Sequence, residues 1–297
     1  VVRHLVRNRK KQQDHFFMVS MNPFTILKGW KHGFTLMKIR DRERRAPGPN
    51  DQFTKLWNQA TAENGCKWGS VEGQRGKYNW GACDAAYNWA KQNGGHFKFH
   101  ALVWGSQYPS WLNGLSVDET KKAITAWFDA VKQHYPDLEM IDVVNEAIRT
   151  GNNSYHSPYG KNNNIIPALG GDNGGNYQFV TTAFKMARER WPKAVLIYND
   201  DNTLSWQMNE GIELIQTIVK NGAPVDVYGQ QAHDCKGMSK SDFESKLTRI
   251  HNETGLPLMI SEYDIGEAND SLQKNNYANH IPFMWETEWI AGITIWG

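Results

Sequence analysis

The sequence predicts an α/β protein of the (β/α)8 TIM-barrel class, and three observations carry that expectation. From about residue 65 onward, short apolar runs rich in Val, Ile and Phe alternate with longer segments of helical period. No GxGxxG or GxxxxGKS/T turn follows any run, as an open doubly wound sheet that binds nucleotides would require. Carboxylates, amides and Trp recur at the ends of the runs, which in a closed parallel barrel converge on one face.

The elements follow in chain order. Residues 67–72 (KWGSVE) read as a strand, and 82–93 as a helix stopped by Asn93-Gly94-Gly95. The run 96–104 (HFKFHALVW) is a buried strand. A helix over 117–134 starts at Ser116, with Glu119 three residues on as a Ser-x-x-Glu capping box. Strands over 139–146, 194–200, 226–233, 257–264 and 292–297 alternate with helices over 177–190, 206–221, 240–253 and 272–289. An eighth strand has room only upstream, and 33–39 (GFTLMKI) is the best candidate. The barrel is expected to lack the helix after its last strand, since the sequence stops at Gly297. The Asn/Gly-rich loop 149–175 follows a strand and belongs on the face where barrel active sites sit.

Charge divides the chain. Residues 1–46 carry 12 Lys/Arg against three Asp/Glu, and 47–297 carry 21 against 28. The first segment reads as an atypical basic stretch, either a non-native tail or a degenerate first strand, and 47–297 as the barrel domain. An acidic body repels phosphate, so nucleic acid is not the expected partner. No apolar run approaches the roughly 20 residues that cross a bilayer, so no membrane partner is expected. Cys66, Cys83 and Cys235 lack metal-ligand spacing and allow one bridge at most; Cys66 and Cys83 can pair if their Cα atoms lie within about 7 Å. No metal or cofactor is expected. Thirteen Trp offer many flat faces of the kind on which sugar rings stack, although a large barrel also buries several.

The chemistry is read from the strand ends. EMIDVVNEA ends in Asn145-Glu146, and LMISEYDIG in Glu262 and Asp264. A carboxylate closing a buried run is costly unless paired. Two of them, 116 positions apart, face one pocket if both strands end on the same side, which is the pair glycoside hydrolysis uses. His100 and Trp104, Asn199 and Asp200, Gln231 and His233, and Trp296 end other runs; Glu63, Asn64 and Lys67 cluster near the first. So many neutral polar and aromatic groups suit a polyhydroxylated substrate.

Seven motifs in order, TAENGCKWGSVE, HALVWGSQYPSWL, DVVNEAI, YNDDN, GQQAHD, ISEYDI and ITIWG, resemble glycoside hydrolase family 10, the retaining endo-β-1,4-xylanases, over roughly residues 50–297. The resemblance implies that Glu146 is the general acid/base and Glu262 the nucleophile. It places Asn145, His100, Lys67 and Trp104 around the sugar before the cleaved bond and its neighbour, and Glu63 and Asn64 on the next xylose outward. Gln231 and His233 flank the nucleophile, with His233 bridging toward Glu262 and Asp264, and Asn199 and Asp200 support from behind. Trp296 is an aromatic platform. The chain is then expected to be a secreted monomer acting on xylan or xylo-oligosaccharides. The alternatives are a cellulase or mannanase of the same clan, and a fragment that binds polysaccharide without cleaving it.

Overall fold

A computed structural model describes residues 18–20, 57–149, 159 and 162–296. Eight parallel strands close a barrel in sequential order. They are β1 (Met18–Ser20), β2 (Gln59–Thr61), β3 (His96–Trp104), β4 (Met140–Asn145), β5 (Val195–Asp200), β6 (Val227–Gln230), β7 (Leu258–Tyr263) and β8 (Ile290–Ile295). β1 pairs with both β2 and β8 and so closes the ring. The expected strand over 33–39 lies outside the described residues, and the closing strand lies upstream of it.

The helices are α1 (Trp68–Val71), α2 (Gly81–Gln92), α3 (Val117–His134), α4 (Ile165–Ala168), α5 (Gln178–Arg190), α6 (Met208–Lys220), α7 (Lys240–Thr254) and α8 (Asp270–Glu286). The strand expected over 67–72 is a misreading. Trp68–Val71 forms a short helix, and the second strand is Gln59–Thr61, only three residues long and too polar to stand out by period. The strand expected over 226–233 stops at Gln230, because Ala232 takes a left-handed φ of 64° and residues 233–235 coil into a 3-10 turn. Ser116 caps α3 through the reciprocal box with Glu119.

Two apolar layers hold the fold. Met140, Val195, Ile197, Val227 and Met259 fill the barrel interior, and a larger layer lies between sheet and helices. In the outer layer, the rings of Trp68, Trp127, Trp80 and His134 stack in series, with centroids 5.6, 5.8 and 4.6 Å apart. Trp127 Nε1 donates to Leu102 O of β3 at 2.9 Å. Much of the Trp content is thus packing rather than sugar surface.

A disulfide joins Cys66, in the loop after β2, to Cys83 of α2, with Cα atoms 4.7 Å apart. Cys235 is free and buried. The bridge anchors the loop that carries Glu63, Asn64 and Lys67. It closes a loop of 17 residues, worth about 3 kcal/mol by chain entropy. The double variant Cys66→Ala/Cys83→Ala is expected to unfold roughly 6–10 °C lower in a thermal melt.

Candidate active site

β4 ends in Asn145, and Glu146 follows with φ 55°. That left-handed backbone costs a non-glycine residue roughly 1–3 kcal/mol and persists only where its surroundings hold it. Here the Glu146 amide donates to Asn199 O of β5 at 2.9 Å. Glu262 lies one residue before the end of β7 and is 5% exposed. β4 and β7 are not neighbours; closure of the ring turns both ends toward one mouth.

Between them stands Asn199. Its Nδ2 donates to Asn145 Oδ1 at 2.9 Å and to Glu262 Oε1 at 2.8 Å. Ser261 Oγ donates to Asn199 Oδ1 and orients the amide. Gln231 Nε2 reaches Glu146 Oε1 at 3.1 Å and Asn145 Oδ1 at 3.3 Å. Asn145 Nδ2 donates to Glu146 Oε1 at 3.2 Å, and Trp104 Nε1 to Glu146 Oε2 at 2.9 Å. Trp104, Asn145 and Gln231 are neutral donors to Glu146, while Glu262 meets a cation. His233 Nε2 donates to Glu262 Oε2 at 3.3 Å, and Nδ1 to Asp264 Oδ1 at 2.9 Å. Burial alone would lower His233, but its bonds to Asp264 and Glu262 raise it to about 10. Burial would raise Glu262; the His233 hydrogen bond and the charges of His100, His233 and Lys98 outweigh it and hold the carboxyl at about 2.

The sugar-facing residues gather beside this pair. Lys67 Nζ donates to Asn64 Oδ1 at 2.9 Å and Gln107 Oε1 at 2.7 Å, and lies 4.7 Å over the Trp104 ring. Glu63 is half-buried on the same loop. His100 packs edge-on to Trp296 at 5.6 Å, and its Nδ1 donates to Asp142 Oδ2 at 2.8 Å. Lys98 donates to the same oxygen at 2.7 Å, both side chains fully buried. Gln231 and His233 lie past β6 rather than on one face of it; each reaches a different carboxylate.

Asp200 turns away from the mouth toward the outer layer. Burial raises its carboxyl well above the usual range; the Tyr198 hydrogen bond opposes this, and the Glu146 charge adds to it. Residue patterns did not reveal Gln107, Lys98, Asp142, Ser261, Tyr198 or Tyr159. The Tyr159 hydroxyl donates to Asn145 O at 2.7 Å. Its ring fits only because position 105 is glycine, where a Cβ would meet it at 2.5 Å. Among the described residues, no cluster of His, Cys, Asp and Glu is arranged to hold a metal ion.

The model of glycosyl hydrolase family 10 matches residues 32–297, more of the chain than the quoted motifs span. The chain belongs to glycosyl hydrolase family 10. It is 42% identical over 245 residues to endo-1,4-beta-xylanase B of Cellvibrio japonicus, covering 82% of this chain and 38% of that protein. Over 244 residues it is 30% identical to endo-1,4-beta-xylanase 3 of Hypocrea jecorina, covering 80% of this chain and 65% of that one. The chain thus spans less than two thirds of these relatives. Xylanase XynB from Paenibacillus barcinonensis, solved with a conduramine derivative, superposes with a TM-score of 0.72 at 26% identity, over 84% of this chain and 80% of that one.

The pair Glu262 and His233 sets a pH dependence of stability. Glu262 is depressed from 4.5, so its contribution is complete above pH 4.5 and lost as pH falls toward 2. His233 is raised from 6.5, so its contribution is complete below pH 6.5 and lost as pH rises toward 10. The melting-temperature gap between the parent and His233→Gln should be widest between pH 4.5 and 6.5 and narrow on both sides. A gap that does not vary with pH would contradict the pairing.

Proposed function

We propose that this family 10 chain hydrolyses internal β-1,4-xylosidic bonds of xylan with retention at the anomeric carbon. One observation carries the reading: two carboxylates at the mouth, linked through Asn145 and Asn199, have unlike partners. The curated relatives named above are endo-1,4-beta-xylanases.

Glu262, kept ionised by His233, attacks the anomeric carbon. The bond to the leaving oxygen breaks, and Glu146 gives that oxygen its proton. The result is a glycosyl ester on Glu262 and a carboxylate at Glu146. Glu146 then takes a proton from water, the water oxygen bonds the anomeric carbon, and Glu262 departs. A carboxylate stabilised by an imidazolium is a good leaving group in that second step. Asn145, bonded to Glu146 and joined to Glu262 through Asn199, suits a hydroxyl of the sugar before the scissile bond. Lys67, Asn64, Trp104, His100 and Trp296 continue the surface on that side.

All these groups come from one barrel, so a monomer suffices. Xylan is an extracellular polymer and disulfides persist in oxidising compartments, which supports secretion.

Reducing-sugar release from xylan tests the reading, with proton NMR of the first product. The parent should release sugar and show the β-anomer first. Glu262→Ala should be inactive, and Glu146→Ala slower by roughly 10²–10⁴-fold. An α-anomer first product would overturn retention. Cleavage of cellulose or mannan with xylan untouched would overturn the substrate.

A further inference from the structure

Resting on that reading of Glu146, we infer that Tyr198 and Asp200 are positioning residues that clamp the backbone leaving Glu146 and so aim the acid/base at the leaving oxygen. Both lie on β5, two positions apart, and share its outer face, whereas Asn199 between them faces the carboxylates. The Tyr198 hydroxyl accepts from the Ala147 amide at 3.0 Å and donates to Asp200 Oδ2. The same oxygen accepts from the Ile148 amide at 3.2 Å, while Asp200 Oδ1 accepts from the Asp201 amide at 2.9 Å.

The two amides that follow Glu146 thus end on one hydroxyl–carboxylate pair, all of it buried. This is where β4 leaves the sheet and Glu146 takes its left-handed φ of 55°. Among the described residues, the Ala147 and Ile148 amides have no strand partner there. Without the clamp their amides would be buried donors with nothing to accept them, and the chain would relax toward an ordinary φ. Such a relaxation swings the Glu146 carboxyl and leaves Glu262, on β7, in place.

The consequence is selective. Attack by Glu262 needs no acid when the leaving group is a stable anion, and needs a well-aimed proton when it is a sugar alcohol. Tyr198→Phe removes one hydroxyl and keeps the ring; Asp200→Asn keeps the shape.

The experiment measures kcat and kcat/KM on aryl β-xylobiosides of graded leaving-group acidity and on xylohexaose, in the parent and both variants. Hydrogen exchange at Ala147 and Ile148 is followed in the same proteins. For Tyr198→Phe the expected loss is about 10- to 100-fold on phenyl xylobioside and xylohexaose, within the roughly 10²–10⁴-fold that a general acid supplies. On dinitrophenyl xylobioside kcat/KM should stay within about threefold, with faster exchange at both amides. Equal losses on every substrate, or unchanged exchange, would overturn the clamp and leave a merely structural role. A parent that cleaves no xyloside would instead count against Glu146 and Glu262 as the reacting pair; the exchange measurement would still decide the clamp.

Discussion

Two like carboxyls in one barrel mouth cannot do different work unless their partners differ. The rest of this structure depends on that asymmetry. Glu262 meets an imidazolium that is itself held by Asp264, with the charge of Lys98 close by. Glu146 accepts from an indole, a side-chain amide of the 231 turn and its own neighbour Asn145. A cation beside a carboxyl favours its ionised form, as His233 does for Glu262. These partners come from the ends of β3, β4 and β6, so the asymmetry exists only when the barrel closes.

Closure explains why the polar network is built in layers. Inside the barrel, Lys98, His100 and Asp142 form a buried charged group below the mouth. Above it, Asn145, Asn199 and Ser261 tie β4, β5 and β7 together through side chains rather than ladder bonds. A buried network of this kind is costly if any member is unmet. Here each amide has more than one use, as Asn199 serves Asn145 and Glu262 at once. Outside the barrel wall, stacked Trp rings and the Cys66–Cys83 bridge hold the loop that carries Asn64 and Lys67.

The carboxylates were legible because a charge at the end of an apolar run is rare and period-2 strands long enough to show it, such as 139–146 and 257–264, advertise their ends. The capping box at Ser116 was legible because it is local. The three-residue strands β1 and β2 were not: Gln59-Ala60-Thr61 has too few residues to display a period, and the apolar look of Trp68 and Val71 reflects packing under the Trp stack. Gln231 and His233 do not share a face of one strand as alternation suggests, since the left-handed Ala232 breaks alternation between them. Gln107, Tyr159 and Tyr198 act across 40, 14 and 51 positions of sequence, a distance over which no local pattern survives.

The central claim is that Glu262 carries the sugar between the two half-reactions. It is tested most directly by incubating the protein with a 2-deoxy-2-fluoro xylobioside bearing a dinitrophenyl leaving group, then digesting it and weighing the peptides. The fluorine slows release of the intermediate more than its formation. One fluoroxylobiosyl increment is expected on the peptide containing Glu262, absent in Glu262→Ala. The label on any other residue, or turnover of the substrate with no label at all, would contradict it.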